Sequence, residues 1–282
     1  MTHAHDAFHV PEGPHDIRLV VCDMDGTLLD AAKTVPDAIW PLIDGMERRG
    51  IMFAPASGRQ YATLARQFAR LGDGLVVIAE NGAYVRRGGD EVSSSPIPLE
   101  AMRGIVRTVR GHAAGHDVGA VVCGKRSAYV ERADEPFMGK VRPYYAALEV
   151  VDDLLAVEDD ILKVAIYDFG DVAHDTAPAL ADFDGPLRVV VSDRHWVDIM
   201  ARGVNKGVAV RALQASLGVT PAQTVVFGDY LNDLEMMDAG HLSFAMANAH
   251  PQVAERAQYR APSNEDAGVI STLRRLLEHP QG

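Results

Sequence analysis

The chain has 282 residues, 48% of them apolar and 23% charged, the balance of an ordinary folded protein with room for one large domain or two ordinary ones. Lys and Arg number 27 against 39 Asp and Glu, a formal charge of −12, which speaks against nucleic acid or an anionic membrane surface as partner. Apolar runs such as Leu75–Ala79 and Val189–Val191 fall far short of the roughly 18 residues of a membrane span.

The first stretch, 1–16, holds His3, His5, His9 and His15 but no basic flank before an apolar segment. It reads as a disordered tail and not as a secretory leader, with nothing to fix the histidines as metal ligands. A cytoplasmic location is the expectation that follows. Ile17–Cys22 then reads as a strand buried on both faces, and Pro36–Gly50 as an amphipathic helix with Pro near its start and Gly at its end. Ile51–Ala56 is strand-like, Gln60–Leu71 helix-like and Leu75–Ala79 strand-like again, which predicts βαβ units and a parallel sheet.

The rhythm changes in the middle. Helices are predicted at Leu99–His112, Glu135–Leu148 and Asp171–Phe183. Strands are predicted at Val118–Val122, Ala128–Glu131, Ile161–Asp168, Leu187–Ser192 and Trp196–Met200, several alternating apolar with polar residues, so part of this sheet should be antiparallel. From Asn205 the first pattern returns, with helices at Lys206–Leu217, Asn232–Ala239 and Asp266–Leu277 and strands at Thr224–Phe227 and Leu242–Met246. The expected fold is α/β: a Rossmann-like, doubly wound parallel sheet core of 17–86 and 200–282, with an α+β domain inserted over 87–199. Cys22 and Cys123 read as buried, reduced thiols.

In open α/β sheets ligands bind beyond the carboxyl ends of the strands. Here those ends carry Asp23-Met-Asp-Gly-Thr, Ser57-Gly-Arg, Glu80-Asn-Gly and Gly228-Asp-Tyr-Leu-Asn-Asp, and Asn205-Lys206-Gly opens a helix on the same rim. Each piece alone has an ordinary explanation: turn residues for Asp23 and Asp25, a helix cap for Ser57, a solvated lysine for Lys206, helix-dipole partners for Asp229 and Asp233. Together they describe a magnesium-assisted phosphoryl-transfer site. Mg²⁺ takes hard oxygens, here the Asp23 and Asp229 carboxylates and the Asp25 carbonyl. A carboxylate can act as nucleophile and form an aspartyl-phosphate. Lys206 and the cation offset the repulsion between two anions, Ser57 and the Gly58 N–H hold phosphate oxygens, and Asp25 can protonate the leaving alcohol and deprotonate water.

Four of these, Asp23-Met-Asp-Gly-Thr-Leu-Leu-Asp, Ser57-Gly-Arg, Asn205-Lys206-Gly and Gly228-Asp-Tyr-Leu-Asn-Asp, resemble the haloacid dehalogenase superfamily of phosphatases. The place of the insertion, together with Ala79-Glu-Asn-Gly-Ala83 and Ser263-Asn-Glu-Asp-Ala-Gly-Val269, is similar to the Cof-like subfamily with its type IIB cap. The resemblance implies Asp23 as nucleophile, Asp25 as general acid and base, Ser57 and Lys206 on phosphate, and Mg²⁺ held by Asp23, Asp25 and Asp229. It implies that Asn232 and Asp233 orient Lys206 or metal-bound waters. Ser57, Gly58, Arg59, Lys206 and Asn232 are thus the candidate substrate-binding residues, with Arg59 suited to a further anion. Ser57 stands where many relatives carry Thr, and either hydroxyl can donate. Asp25 fits a phosphatase, since the superfamily's ATPases have Thr there and its dehalogenases need neither that acid nor a metal. The expected substrate is a small phosphorylated metabolite, a sugar phosphate or similar. A phosphomutase, or a phosphometabolite sensor without turnover, remains the alternative. For the organic half of the substrate the candidates are Lys125, Arg126, Lys140, Arg142, His195 and Trp196 of the insertion. Oligomeric state is not legible.

Overall fold

The computed structural model describes residues 8, 10, 11, 13, 15–192 and 194–278, and these form two compact units. The first comprises Met1–Gly58, Gln67–Ser93 and Asn205–Gly282; the second comprises Arg59–Arg66 and Ser94–Val204.

The first unit starts with β1 (Leu19–Asp23), in which every residue is buried, as the unbroken apolar run Leu19–Cys22 demands of a strand covered on both faces. There follow α1 (Trp40–Arg48), opened by Pro41 in its first turn and closed before Gly50, then β2 (Met52–Ala56) and, past α2 (Tyr61–Gln67), all but the last residue of which belongs to the second unit, β3 (Val76–Ala79). Next come β4 (Tyr84–Arg87), which runs antiparallel to β3, and β5 (Asp90–Ser94).

In the second unit the elements are α3 (Leu99–His112), β6 (Val118–Gly124), β7 (Ala128–Val130), α4 (Glu135–Val141), β8 (Leu148–Val150), β9 (Ile161–Asp168), β10 (Leu187–Val191) and β11 (Trp196–Ala201). Its sheet has the order β10-β11-β9-β6-β7-β8, antiparallel except where β7 meets β8. Met102, Ile105, Val106 and Val109 of α3 pack on one face of this sheet, and Phe137, Met138 and Val141 of α4 pack on the other.

The chain then returns to the first unit with α5 (Lys206–Leu217), β12 (Thr224–Gly228), α6 (Leu234–Met237), β13 (Leu242–Met246), α7 (Pro251–Arg256), β14 (Tyr259–Ala261) and α8 (Gly268–Glu278). The complete sheet is β14-β13-β12-β1-β2-β3-β4-β5, parallel from β14 to β3. Leu19, Val21, Ala54, Ile78 and Val226 on one of its faces share a core cluster with Val210 and Leu213 of α5.

Several expectations shift. The helix predicted at Glu135–Leu148 ends at Val141, because Pro143 cannot donate a helical hydrogen bond. Asp171–Phe183 is helical only over Ala177–Phe183, as a 3₁₀ segment opened by Pro178. β4 and β5 extend the first sheet, and the second unit comprises Ser94–Val204 together with Arg59–Arg66, where the sequence had suggested 87–199. His3, His5 and His9 of the expected tail lie outside the described residues. Of the described part, Val10 is buried and the Phe8 carbonyl accepts from Arg275 at 3.1 Å. Cys22 and Cys123 are buried free thiols in strands. Among the described residues no helix is long and apolar enough to cross a membrane.

The ring of Phe137 is fully buried, and it lies so close above Gly119 that a Cβ there would overlap it. Phe137→Ala is therefore expected to cost about 3–5 kcal/mol in urea unfolding, and a loss below about 1 kcal/mol would contradict this packing.

Candidate active site

Among the fully buried polar groups of the first unit is an ammonium. Lys206 opens α5, whose preceding residue Asn205 caps the helix by accepting the Val208 N–H at 2.8 Å. The lysine is fully buried, and its Nζ donates to Asp23 Oδ1 at the end of β1 and, at 2.7 Å, to Asp233 Oδ1. The other oxygen of Asp233 accepts the backbone N–H groups of Asp229 (3.0 Å) and Tyr230 (3.2 Å). Asp233 is thereby committed on both oxygens. It anchors the lysine and at the same time shapes the loop that carries Asp229.

Asp229 follows β12, the neighbour of β1, with Cys22 paired to Phe227 in register. Its Oδ1 accepts from the Thr27 hydroxyl at 2.8 Å. Gly26, at φ +82°, lets the turn pass directly beside that carboxylate, where any Cβ would collide with it. Asn248 donates to the Gly26 carbonyl at 2.8 Å and steadies the same turn. One oxygen from each of Asp23, Asp229 and Asp233 falls within 4.8 Å of the others.

Three carboxylates and one ammonium in this volume leave an excess of negative charge. Burial, and after it repulsion from Asp233, pushes the Asp23 carboxyl well above the usual carboxylate range against the pull of Lys206. Burial likewise lifts Asp229 to about 6, with the Thr27 hydroxyl working in the opposite direction and Asp233 adding repulsion. For Lys206, burial alone would lower the pKa, but Asp23 and Asp233 outweigh it and hold the ammonium above the usual lysine range.

Asp25 sits apart from this cluster. Its carboxylate is 41% exposed and pairs with Lys33 at 3.0 Å. Ser57, buried at the end of β2, donates its N–H to the Ile78 carbonyl (2.9 Å) and accepts the Asn81 N–H (2.9 Å), which ties the ends of β2 and β3 together. Gly58 lies against the Asn81 side chain, and Asn81 Oδ1 accepts from Asn232 at 3.1 Å. Arg59 belongs to the second unit.

The structure therefore brings Asp23, Lys206, Asp229 and Asp233 together, bonds Asn232 to Asn81, and gives Asp25 a lysine partner that sequence reading did not single out. Thr27 and Asn248 were also missed as contributors. The first lies inside a quoted motif; the second carries no local signal. In the second unit, Lys125 pairs with Asp160 (3.0 Å), Arg126 with Asp159 (3.5 Å) and Arg142 with Glu135 (2.6 Å), while Lys140 is exposed. Trp196 joins Tyr144 and Tyr167 in edge-to-face contacts, and His195 Nδ1 lies 2.9 Å from the Asp168 carbonyl oxygen.

Comparison with known proteins places these features in a family. The profile of the haloacid dehalogenase-like hydrolases matches residues 20–273. The chain is 32% identical over 266 residues to the 5-amino-6-(5-phospho-D-ribitylamino)uracil phosphatase YbjI of Escherichia coli, covering 93% of this chain and 97% of that one. It is 24% identical to the phosphatase of the same description, YitU, from Bacillus subtilis, covering 91% and 96%. Among solved structures, a Thermotoga maritima protein superposes with a TM-score of 0.82 at 25% identity, covering 92% of this chain and 97% of that one. A subclass IIB sugar phosphatase of the superfamily gives 0.74 at 18% identity, covering 91% and 98%, a likeness of fold.

The Asp229 shift has a signed consequence. Raised from 3.8 to about 6, this carboxyl favours the fold while protonated and loses that contribution as pH rises through its folded value. Asp229→Asn keeps an oxygen for Thr27 but carries no charge. In chelator-containing buffer its melting temperature, relative to the unaltered protein, is expected to rise between about pH 5 and about pH 7. A difference independent of pH would contradict the assignment.

Proposed function

The chain belongs to the haloacid dehalogenase-like hydrolases, and from that premise we propose that it is a magnesium-dependent phosphatase of small phosphorylated metabolites acting through an aspartyl-phosphate on Asp23. The observation that carries this reading is the buried Lys206, which holds one oxygen of Asp23 and is itself anchored by Asp233.

A divalent cation fits the residues present. The donors are all hard oxygens, and the positive charge falls short of the negative. One oxygen from each of Asp23, Asp229 and Asp233 lies within 4.8 Å of the others, a spacing at which neighbouring carboxylates can share one cation. Mg²⁺ would be held by the Asp23 and Asp229 carboxylates and the Asp25 carbonyl, and when bound it supplies charge that offsets repulsion between nucleophile and phosphate. Asp233, with both oxygens occupied, acts on Lys206.

The protein's own groups then divide the work. A carboxylate oxygen of Asp23 attacks phosphorus, and Lys206 stabilises the charge that gathers on the phosphoryl oxygens. Ser57 and the Gly58 N–H donate to those oxygens, and Arg59 is assigned to a further anionic group. Asp25 gives its proton to the departing alcohol. It then takes one from the water that attacks the phosphoaspartate, so that inorganic phosphate and free Asp23 are regenerated. Asn232, bonded to Asn81, holds the rim of the substrate site. We assign selection of the organic half of the substrate to the inserted unit. The names of the two relatives make 5-amino-6-(5-phospho-D-ribitylamino)uracil the first substrate to try. A cytoplasmic location accords with this reading.

Asp23→Asn is expected to lower release of inorganic phosphate from nitrophenyl phosphate about a thousandfold or more at saturating Mg²⁺. Undiminished hydrolysis would overturn the proposal, and with a labelled sugar phosphate as substrate, phosphate retained on the sugar instead of released would point to a mutase. Saturating Mg²⁺ is expected to raise the melting temperature by about 5 °C, and Asp229→Asn to suppress most of that rise. A melting curve indifferent to Mg²⁺ and chelator alike would remove the metal from the account.

A further inference from the structure

We propose that Lys33 is a positioning residue for Asp25, its ammonium fixing one carboxylate oxygen so that the other is aimed for proton transfer. This rests on the reading of Asp25 as the acid and base of the reaction.

The contact itself is a 3.0 Å ion pair between Lys33 Nζ and Asp25 Oδ1, with the lysine side chain 63% exposed. Exposed pairs of this kind contribute little to stability, so stability does not explain it. What marks it out is the backbone that delivers it. Lys33 has φ +61°, a left-handed conformation that suits glycine or asparagine and is strained for lysine.

A tight loop enforces that conformation. The Asp30 carboxylate accepts the Thr34 N–H (2.9 Å) and the Thr34 hydroxyl (2.7 Å). The Asp30 carbonyl accepts the Lys33 N–H (2.9 Å), and the Asp30 N–H donates to the Thr34 carbonyl (3.2 Å). Below the loop, Leu29 is fully buried; its N–H donates to Met24 (2.8 Å), and its carbonyl accepts from Asn264 (2.9 Å). The loop is thus fastened both to itself and to the turn that carries Asp25. A glycine at position 33 would satisfy the backbone without strain, and it would lose the ion pair with Asp25.

A carboxylic acid that must protonate an alkoxide needs its proton-carrying oxygen at a defined place. An activated phenolate departs without a proton. A residue that aims the acid therefore matters for alkyl esters and hardly at all for activated aryl esters, whereas a residue that merely supports the fold affects both alike.

The experiment compares kcat/KM on dinitrophenyl phosphate with that on whichever of ribitol, glucose and glycerol phosphates the unaltered enzyme turns over best. Lys33→Met and Lys33→Gly are expected to lose about tenfold or more on the alkyl ester and less than about twofold on the aryl ester. Lys33→Arg should recover most of the loss. Lys33→Gly should melt no lower than the unaltered protein, since the strain is relieved. Asp25→Asn should show the same selective loss in larger measure. Equal losses on both esters, no loss on either, or a loss that tracks a fall in melting temperature would overturn the role of Lys33. If Lys33 variants fail the test while Asp25→Asn passes, only Lys33 is removed. If Asp25→Asn shows no preference between the esters, the acid–base reading falls, and this proposal with it.

Discussion

A buried ammonium is costly unless its partners are fixed, and Lys206 is the one around which the first unit is arranged. It lies at the start of α5 with no exposed surface, and it is held by Asp23 at the end of β1 and by Asp233 in the turn between β12 and α6. Close approach is what makes the geometry possible. Gly207 comes so near the Glu235 carbonyl that a Cβ would overlap it, and a Cβ on Gly228 would stand 2.7 Å from Asp233. The glycines flanking both motifs therefore let the helix and the loop come close enough for the lysine to bridge them.

The sheet converts sequence distance into contact. Because β1 lies between β2 and β12, residues separated by about two hundred positions end side by side, and the Thr27–Asp229 hydrogen bond is one result. The insertion leaves the chain after β5 and returns just before α5, so the strand ends of the core stay continuous across it. An added domain of a different architecture thus leaves the register of β1 and β12 undisturbed.

What could be read in advance follows from where the information lies. Continuous apolar runs reveal buried strands, and a charged residue directly after such a run reveals a strand end with a task, so Asp23 and Asp229 were legible. The β4–β5 hairpin was not. Arg86, Arg87 and the exposed Gly88-Gly89 turn look like the start of the insertion, and only pairing with β3 assigns them to the core sheet. Asp233 was legible as polar and purposeful, yet its choice between lysine and water depended on two backbone N–H groups whose aim the sequence does not show. Lys33 was hidden for a related reason. A positive φ at a lysine leaves no mark in composition or periodicity, and the hydrogen bonds of Asp30 that impose it become visible only once the loop is closed.

The charge balance ties the cation, the lysine and the substrate together. Fully ionised, Asp23, Asp229 and Asp233 carry three negative charges against the single positive charge of Lys206, a deficit that burial and repulsion register as the raised values of Asp23 and Asp229. A phosphate monoester brings about two further negative charges into that setting, and each like-charge pair at about 4 Å opposes entry by roughly 4 kcal/mol at an effective dielectric of about 20. Lys206 alone cannot offset this, since its charge is already shared between two carboxylates. A divalent cation brings the set to neutrality and no further. A monocation would leave the site repelling its substrate.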